Sequence, residues 1–173
     1  MNSLIETHRL LIRTFSTEDA TDLQEILGDA ETMEYSEAPY DYKKTEKFLK
    51  SFCIDRRGAL AAVHRESGKL IGYILFNEHE KSVYEIGWFF NREFWGYGYA
   101  YEACGAVIDY AFDKLKAHKV FAETIDTVKS LGLMKKLGMK PEAVLREQTS
   151  DNHGNPADMY LYGLSEENWR SGL

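Results

Sequence analysis

Two glycines one residue apart, Gly96 and Gly98, interrupt the aromatic stretch "FFNREFWGYGYAYEACG" directly before a strongly periodic helical segment. Glycine adds nothing to packing and costs backbone entropy, so its use here points to unusual dihedrals or to a close approach to the backbone. A strand, a glycine-bearing turn and a helix start together present unpaired amides, and the helix dipole adds roughly half a positive charge there. That geometry binds anions, and small residues at Gly96, Gly98 and Ala100 leave a phosphate room to reach the amides. A ligand-free tight turn or a closely packed helix start accounts for a lone Gly-x-Gly better than phosphate binding does.

Two nucleotide motifs compete for this turn. A Walker A loop fails, because no Gly-Lys-Ser/Thr follows the glycines. A Rossmann site wants a third small residue where Tyr101 stands, and an acid after the next strand, a place Glu123 or Asp126 could fill. It also wants further strand–helix units, whereas one helix and a hairpin complete this chain. A nucleotide-cofactor oxidoreductase is therefore the weaker alternative.

Other chemistry is sparse. The five histidines (8, 64, 79, 118 and 153) form no i, i+4 pair and no cluster with cysteine, so no metal site is expected. Cys53 and Cys104 sit in no paired motif, which implies neither a disulfide framework nor an oxidising compartment. The segment "DAETMEYSEAPYDY" carries Asp29, Glu31, Glu34, Glu37 and Asp41 with no lysine or arginine among them. Tyr35, Tyr40 and Tyr42 in the same segment are able to stack against a cation.

The elements that must position these residues fit one domain over residues 1–173, with 44% apolar and 28% charged residues. A net charge of −7 argues against nucleic-acid binding. No apolar run has the length of a signal peptide or a membrane span, so a cytoplasmic protein without membrane contact is expected. "RLLIRTF" reads as a strand, and Ser16 with Asp19 as a helix start leading to Gly28. A second helix spans about 44–55. "ALAAVHR" and "LIGYILFNEH" form a hairpin, and "SVYEIGWFF" is a further strand. The clearest helix runs over about 99–116, with Ala100, Ala103, Cys104, Val107, Ile108, Ala111, Phe112 and Leu115 on one stripe. A strand "KVFAETI", a helix over about 128–137 and the hairpin "EAVLREQTS"/"ADMYLYGL" follow. Seven strands and four helices, with one strand–helix–strand crossover, predict a mixed sheet with helices packed on it, an α/β or α+β fold.

Taken together, "ETHRLLIRTFSTEDA", "EIGWFFNREFWGYGYAYEA", "SLGLMKKLGM" and the terminal "DMYLYGLSEENW" resemble the GNAT N-acetyltransferases, most closely their RimJ/RimL-like branch. The resemblance implies the GNAT fold, a mixed and mostly antiparallel sheet of about seven strands flanked by about four helices. It implies an acetyl-CoA-dependent enzyme that acetylates a primary amine, a protein N-terminus or a small cationic amine, by direct attack in a ternary complex. The active protein would be a monomer or homodimer. A module that binds CoA without catalysis is the alternative from another class.

The family's pyrophosphate pattern falls on Trp95, Gly96, Tyr97, Gly98, Tyr99 and Ala100, with Tyr101 following. Trp95 replaces the usual Gln or Arg. Backbone groups of Trp88, Phe89 and Phe90 would pair with the pantetheine arm. An N–H near Trp88 or Phe89 would meet the thioester oxygen, worth roughly 3 kcal/mol in the transition state. Glu85, on the same strand face as Gly87 and Phe89, is the candidate base, with Glu147 a weaker second. Ser130 matches a serine that contacts CoA and protonates the departing sulfur. Thr127, which stands where the family has asparagine, is a further candidate CoA contact, and Met134 stands where many members have an acid tyrosine. The acidic segment between the first two helices would border the acceptor, with Glu34, Tyr35 and Glu37 as candidate contacts.

Overall fold

The chain builds eight strands, one more than the sequence predicts. The structure, a computed structural model, describes residues 3–172. The strands are β1 (Ser3–Glu6), β2 (Leu10–Arg13), β3 (Ala59–His64), β4 (Leu70–Glu80), β5 (Val83–Phe90), β6 (Lys119–Thr124), β7 (Lys140–Ser150) and β8 (Pro156–Ser165). They form one sheet in the order β1-β2-β3-β4-β5-β6-β8-β7. Only β5 and β6 run parallel; every other neighbouring pair is antiparallel. The unforeseen strand is β1, whose sequence SLIE has only two apolar residues.

The helices are α1 (Ala20–Leu27), α2 (Tyr42–Phe48), α3 (Tyr99–Asp113), α4 (Lys129–Lys136) and the short α5 (Glu166–Ser171), also unforeseen. The predicted second helix changes character part-way: α2 gives way to a π-helical segment over Leu49–Asp55. The α3 stripe is buried from Ala103 to Phe112, but the helix stops at Asp113 and leaves Leu115 exposed.

Two cores lie on opposite faces of the sheet, and β3 shows how its alternation divides them. Leu60 and Ala62 join the core under α3, with Ile74, Ile86, Phe90 and Val120. Ala59, Ala61 and Val63 join the core under α1 and the π-helical segment, with Leu23, Ile26, Leu49 and Tyr73. Both cysteines are buried, and burial pushes the Cys53 thiol up to about 12, so these thiols act as small apolar packing groups.

A buried ion pair sets the entry into α1. Arg13 grips both carboxylate oxygens of Asp19 at 2.8 and 2.9 Å, and Asp19 also accepts from the Ser16 amide at 2.8 Å.

The feature that makes a site is where the parallel pair comes apart. Register partners run Val83–Lys119, Tyr84–Val120 and Glu85–Phe121, and there the pairing ends. β5 continues to Phe90 and β6 to Thr124 without pairing each other.

Candidate active site

A cavity of about 630 Å³ opens in that gap. One wall is β5 from Glu85 to Phe90, and the other is 123–126 with α4. The turn before α3 closes one end. Residues 31–36 and the β7–β8 hairpin border the cavity as well. The β5 edge facing the gap has no strand partner beyond Glu85, so its polar backbone groups are available to a ligand laid alongside.

The turn answers the question its glycines raise. Gly96 and Gly98 have φ of +83° and +81°, in the left-handed region. A Cβ at Gly96 would touch nothing, and one at Gly98 would meet only Arg9 Nη2 at 3.6 Å. Conformation, rather than crowding within the protein, requires glycine, and an L-residue there would cost about 1–2 kcal/mol. A β-branched residue at 98 would thus weaken folding as well as the turn.

The product of that conformation is a set of free donors. Among the described residues, none of the amides from Gly96 to Tyr101 donates a hydrogen bond. They sit at the N-terminus of the 15-residue α3, where the dipole favours an anion. Tyr97 contributes only backbone here, since its side chain is 65% exposed and off the cavity wall.

Trp95 folds the turn back onto β5. Its indole Nε1 donates to the Phe90 carbonyl at 2.8 Å, and Lys129 Nζ lies 3.8 Å above its ring. Lys136 Nζ likewise sits 4.6 Å from the Tyr101 ring centroid. Neither lysine pairs with a carboxylate among the described residues, which leaves two cations beside the free amides.

Glu85 and Glu123 both reach the cavity wall, at the point where the strands part. Burial pushes the Glu85 carboxyl above the usual carboxylate range; the Glu123 charge pushes it further, and His79 pulls it back. Glu147 lies elsewhere, exposed on β7 with its amide bonded to Asp158.

Ser130 faces the cavity, and its Oγ makes no hydrogen bond among the described residues. The residue that frees it is Asp126, which sequence reading considered only as a ribose ligand. Its buried carboxylate accepts from the amides of Val128, Lys129 and Ser130 at 2.9, 3.0 and 3.2 Å. An Asp two residues before the predicted helix was the available signal. Thr127 is exposed and off the wall. Met134 is fully buried in the core, so its position offers no proton donor.

In the acidic segment, Tyr35 and Glu31 reach the wall but Glu34 and Glu37 do not. Glu37 instead accepts from Tyr40 Oη at 2.5 Å and pairs with Lys44 at 3.6 Å. The Glu34 carbonyl accepts from the Asn152 amide at the tip of the β7–β8 hairpin. Arg92, from beyond the segment, pairs with Asp29 at 3.2 Å and Glu31 at 2.9 Å.

Residues 9–140 match the family described as the acetyltransferase (GNAT) domain. The chain belongs to the GNAT acetyltransferases. It is 32% identical over 169 residues to the uncharacterized N-acetyltransferase YnaD of Bacillus subtilis, covering 95% of this chain and 98% of that one. The crystal structure of a GNAT-family acetyltransferase from Bacillus anthracis superposes with a TM-score of 0.86 at 30% identity, covering 94% and 98% of the two chains. Spermidine N-acetyltransferase from Vibrio cholerae, solved with CoA and spermine, shares the fold at 20% identity, with a TM-score of 0.82 and coverage of 95% and 99%. As a GNAT enzyme the protein is an acetyl-CoA-dependent N-acetyltransferase, which sets the oxidoreductase alternative aside.

Proposed function

We propose that this GNAT enzyme binds acetyl-CoA in the β5/β6 gap and acetylates a cationic primary amine beside Glu85. The observation that carries the reading is the end of β5–β6 pairing at Glu85, which leaves an unpaired edge leading from the glycine turn to a carboxylate. The pyrophosphate lies on the amides of Gly96–Tyr101, with Lys129 and Lys136 adding positive charge at that end. The pantetheine arm runs along Phe90, Phe89 and Trp88 as an added strand. The six residues from Phe90 back to Glu85 span five rises of extended chain, about 17 Å, enough to separate phosphate from thioester.

Chemistry follows from that placement. An alkylammonium entering between Glu85 and Glu123 is attracted by both carboxylates and by the ring of Tyr35. Glu85 takes one proton, and the freed nitrogen attacks the thioester carbonyl while a β5 amide meets the developing oxyanion. The C–N bond forms and the C–S bond breaks. The departing thiolate takes a proton from Ser130 Oγ, which recovers one from the acetylated nitrogen through solvent, and Glu85 releases its own to water. The spermine complex of the Vibrio cholerae enzyme supports the capacity of this fold for a polycation.

Thiol release from acetyl-CoA, followed across N-terminal peptides, polyamines and aminoglycosides, tests the reading. Turnover is expected with cationic amines and is expected to fall with neutral ones. Acetyl-CoA uptake without turnover on any of them would favour a non-catalytic CoA-binding module.

A further inference from the structure

The turn that presents the free amides has a structural weakness. Gly98 has φ of +81° and ψ of +12°, in the left-handed region that glycine adopts freely. A half-turn of the Tyr97–Gly98 peptide carries Gly98 to negative φ, which glycine accepts without strain. The peptide is planar and trans, so its C=O and N–H point in opposite directions. In one orientation Gly98 N–H is offered to an anion; in the other the Tyr97 carbonyl takes its place and repels it.

One side chain holds the first orientation. Arg9 Nη1 donates to the Tyr97 carbonyl at 2.8 Å. The guanidinium is itself fixed, since Arg9 Nε donates to Glu102 Oε2 at 2.7 Å and lies 4.2 Å from the Tyr99 ring centroid. Glu102, in the first turn of α3, is held in turn: its Oε1 accepts from the Arg9 amide at 2.8 Å and from Thr7 Oγ1 at 2.6 Å. Burial pushes the Glu102 carboxyl up, but these bonds outweigh it and bring it below the usual carboxylate range, so it is ionised at neutral pH. The clasp joins the β1–β2 connection to the turn across 88 residues of sequence.

We propose that Arg9, locked by Glu102, is a positioning residue that keeps the Tyr97–Gly98 peptide in its anion-binding orientation and so sets the affinity for acetyl-CoA. The inference rests on the acetyl-CoA reading of the cavity. Arg9 acts through the backbone of the turn: pinning the carbonyl on one side aims Gly98 N–H at the other, before any ligand arrives. That preorganisation removes an ordering cost from binding.

Arg9→Lys keeps the charge but replaces the rigid fork, which reaches Glu102 through Nε and Tyr97 through Nη1, by a compact ammonium on a flexible stem that cannot hold both acceptors in the same geometry. It is expected to raise KM for acetyl-CoA, and the Kd for CoA by calorimetry, by about tenfold, as for one lost charged hydrogen bond. KM for the amine should stay level, and kcat at saturating acetyl-CoA should hold within about twofold, the signature of a binding rather than a chemical defect. Glu102→Gln, which loosens Arg9 without removing it, should shift the same constants by about threefold. The double variant should be no weaker than Arg9→Lys alone, because the two residues act as one unit. A general loss of folding would lower thermal stability and disturb both substrates' KM values alike. That pattern, or CoA affinity unchanged in both single variants, overturns the inference while leaving the acetyl-CoA reading standing. No CoA uptake by the unaltered protein overturns both.

Discussion

Glu85→Gln is expected to lower kcat at pH 7 by about 10²–10⁴, the usual worth of a general base. An amine is protonated at that pH, and Glu85 is the carboxylate at the end of the unpaired β5 edge. Its raised pKa has a defined consequence for the pH profile. A base works only when deprotonated, so the rate falls as pH drops through the folded-state pKa. The acid limb should therefore lie above about 4.3, the ordinary glutamate value, and Glu123→Gln should move it downward by removing the repelling charge. Because burial favours the protonated form, ionised Glu85 lowers stability at neutral pH, and Gln should fold at least as well as Glu. Lost activity with retained stability separates a chemical role from a structural one. A steady-state pH series on the two variants measures it, and a Gln variant with the original rate and limb would remove Glu85 from the mechanism.

The largest stability effect is expected at Asp19. Its side chain is 8% exposed and that of Arg13 is 12%, so the bidentate pair lies almost out of water. Asp19→Ala strands a guanidinium and frees the Ser16 amide, which should cost about 3–5 kcal/mol in denaturant unfolding. Replacing both members by apolar residues of similar volume should cost far less, because no charge is then left unpaired. A loss below about 1 kcal/mol for Asp19→Ala would mean that water reaches the pair.

Local pattern made most of the architecture legible. The 3–4 spacing of α3, the short apolar runs of β3 and β4 and the Ser16–Asp19 helix start all follow from neighbours in sequence. β1, with two apolar residues in SLIE, and α5, with one in EENWRS, carried too little apolar pattern to be read. The glycine turn was legible as unusual backbone, and its free amides follow from its position. What sequence could not show was pairing across distance. Arg92 neutralises Asp29 and Glu31 from outside the acidic segment, Lys44 and Tyr40 engage Glu37, and Arg9 reaches the turn from the far end of the chain. Charge counted along a segment says little about charge presented to a cavity. Asp126 shows the same from the other side: its three backbone bonds, not its own exposure, are what leave Ser130 Oγ free.

The β5/β6 gap and the glycine turn are proposed to hold acetyl-CoA together. A crystal structure of the protein with CoA tests that most directly. The expected result places pyrophosphate oxygens within hydrogen-bonding distance of the amides of Gly96–Tyr101, the pantetheine arm along Trp88–Phe90, and the thiol beside Glu85 and Ser130. CoA bound elsewhere, with those amides unengaged, would contradict the account.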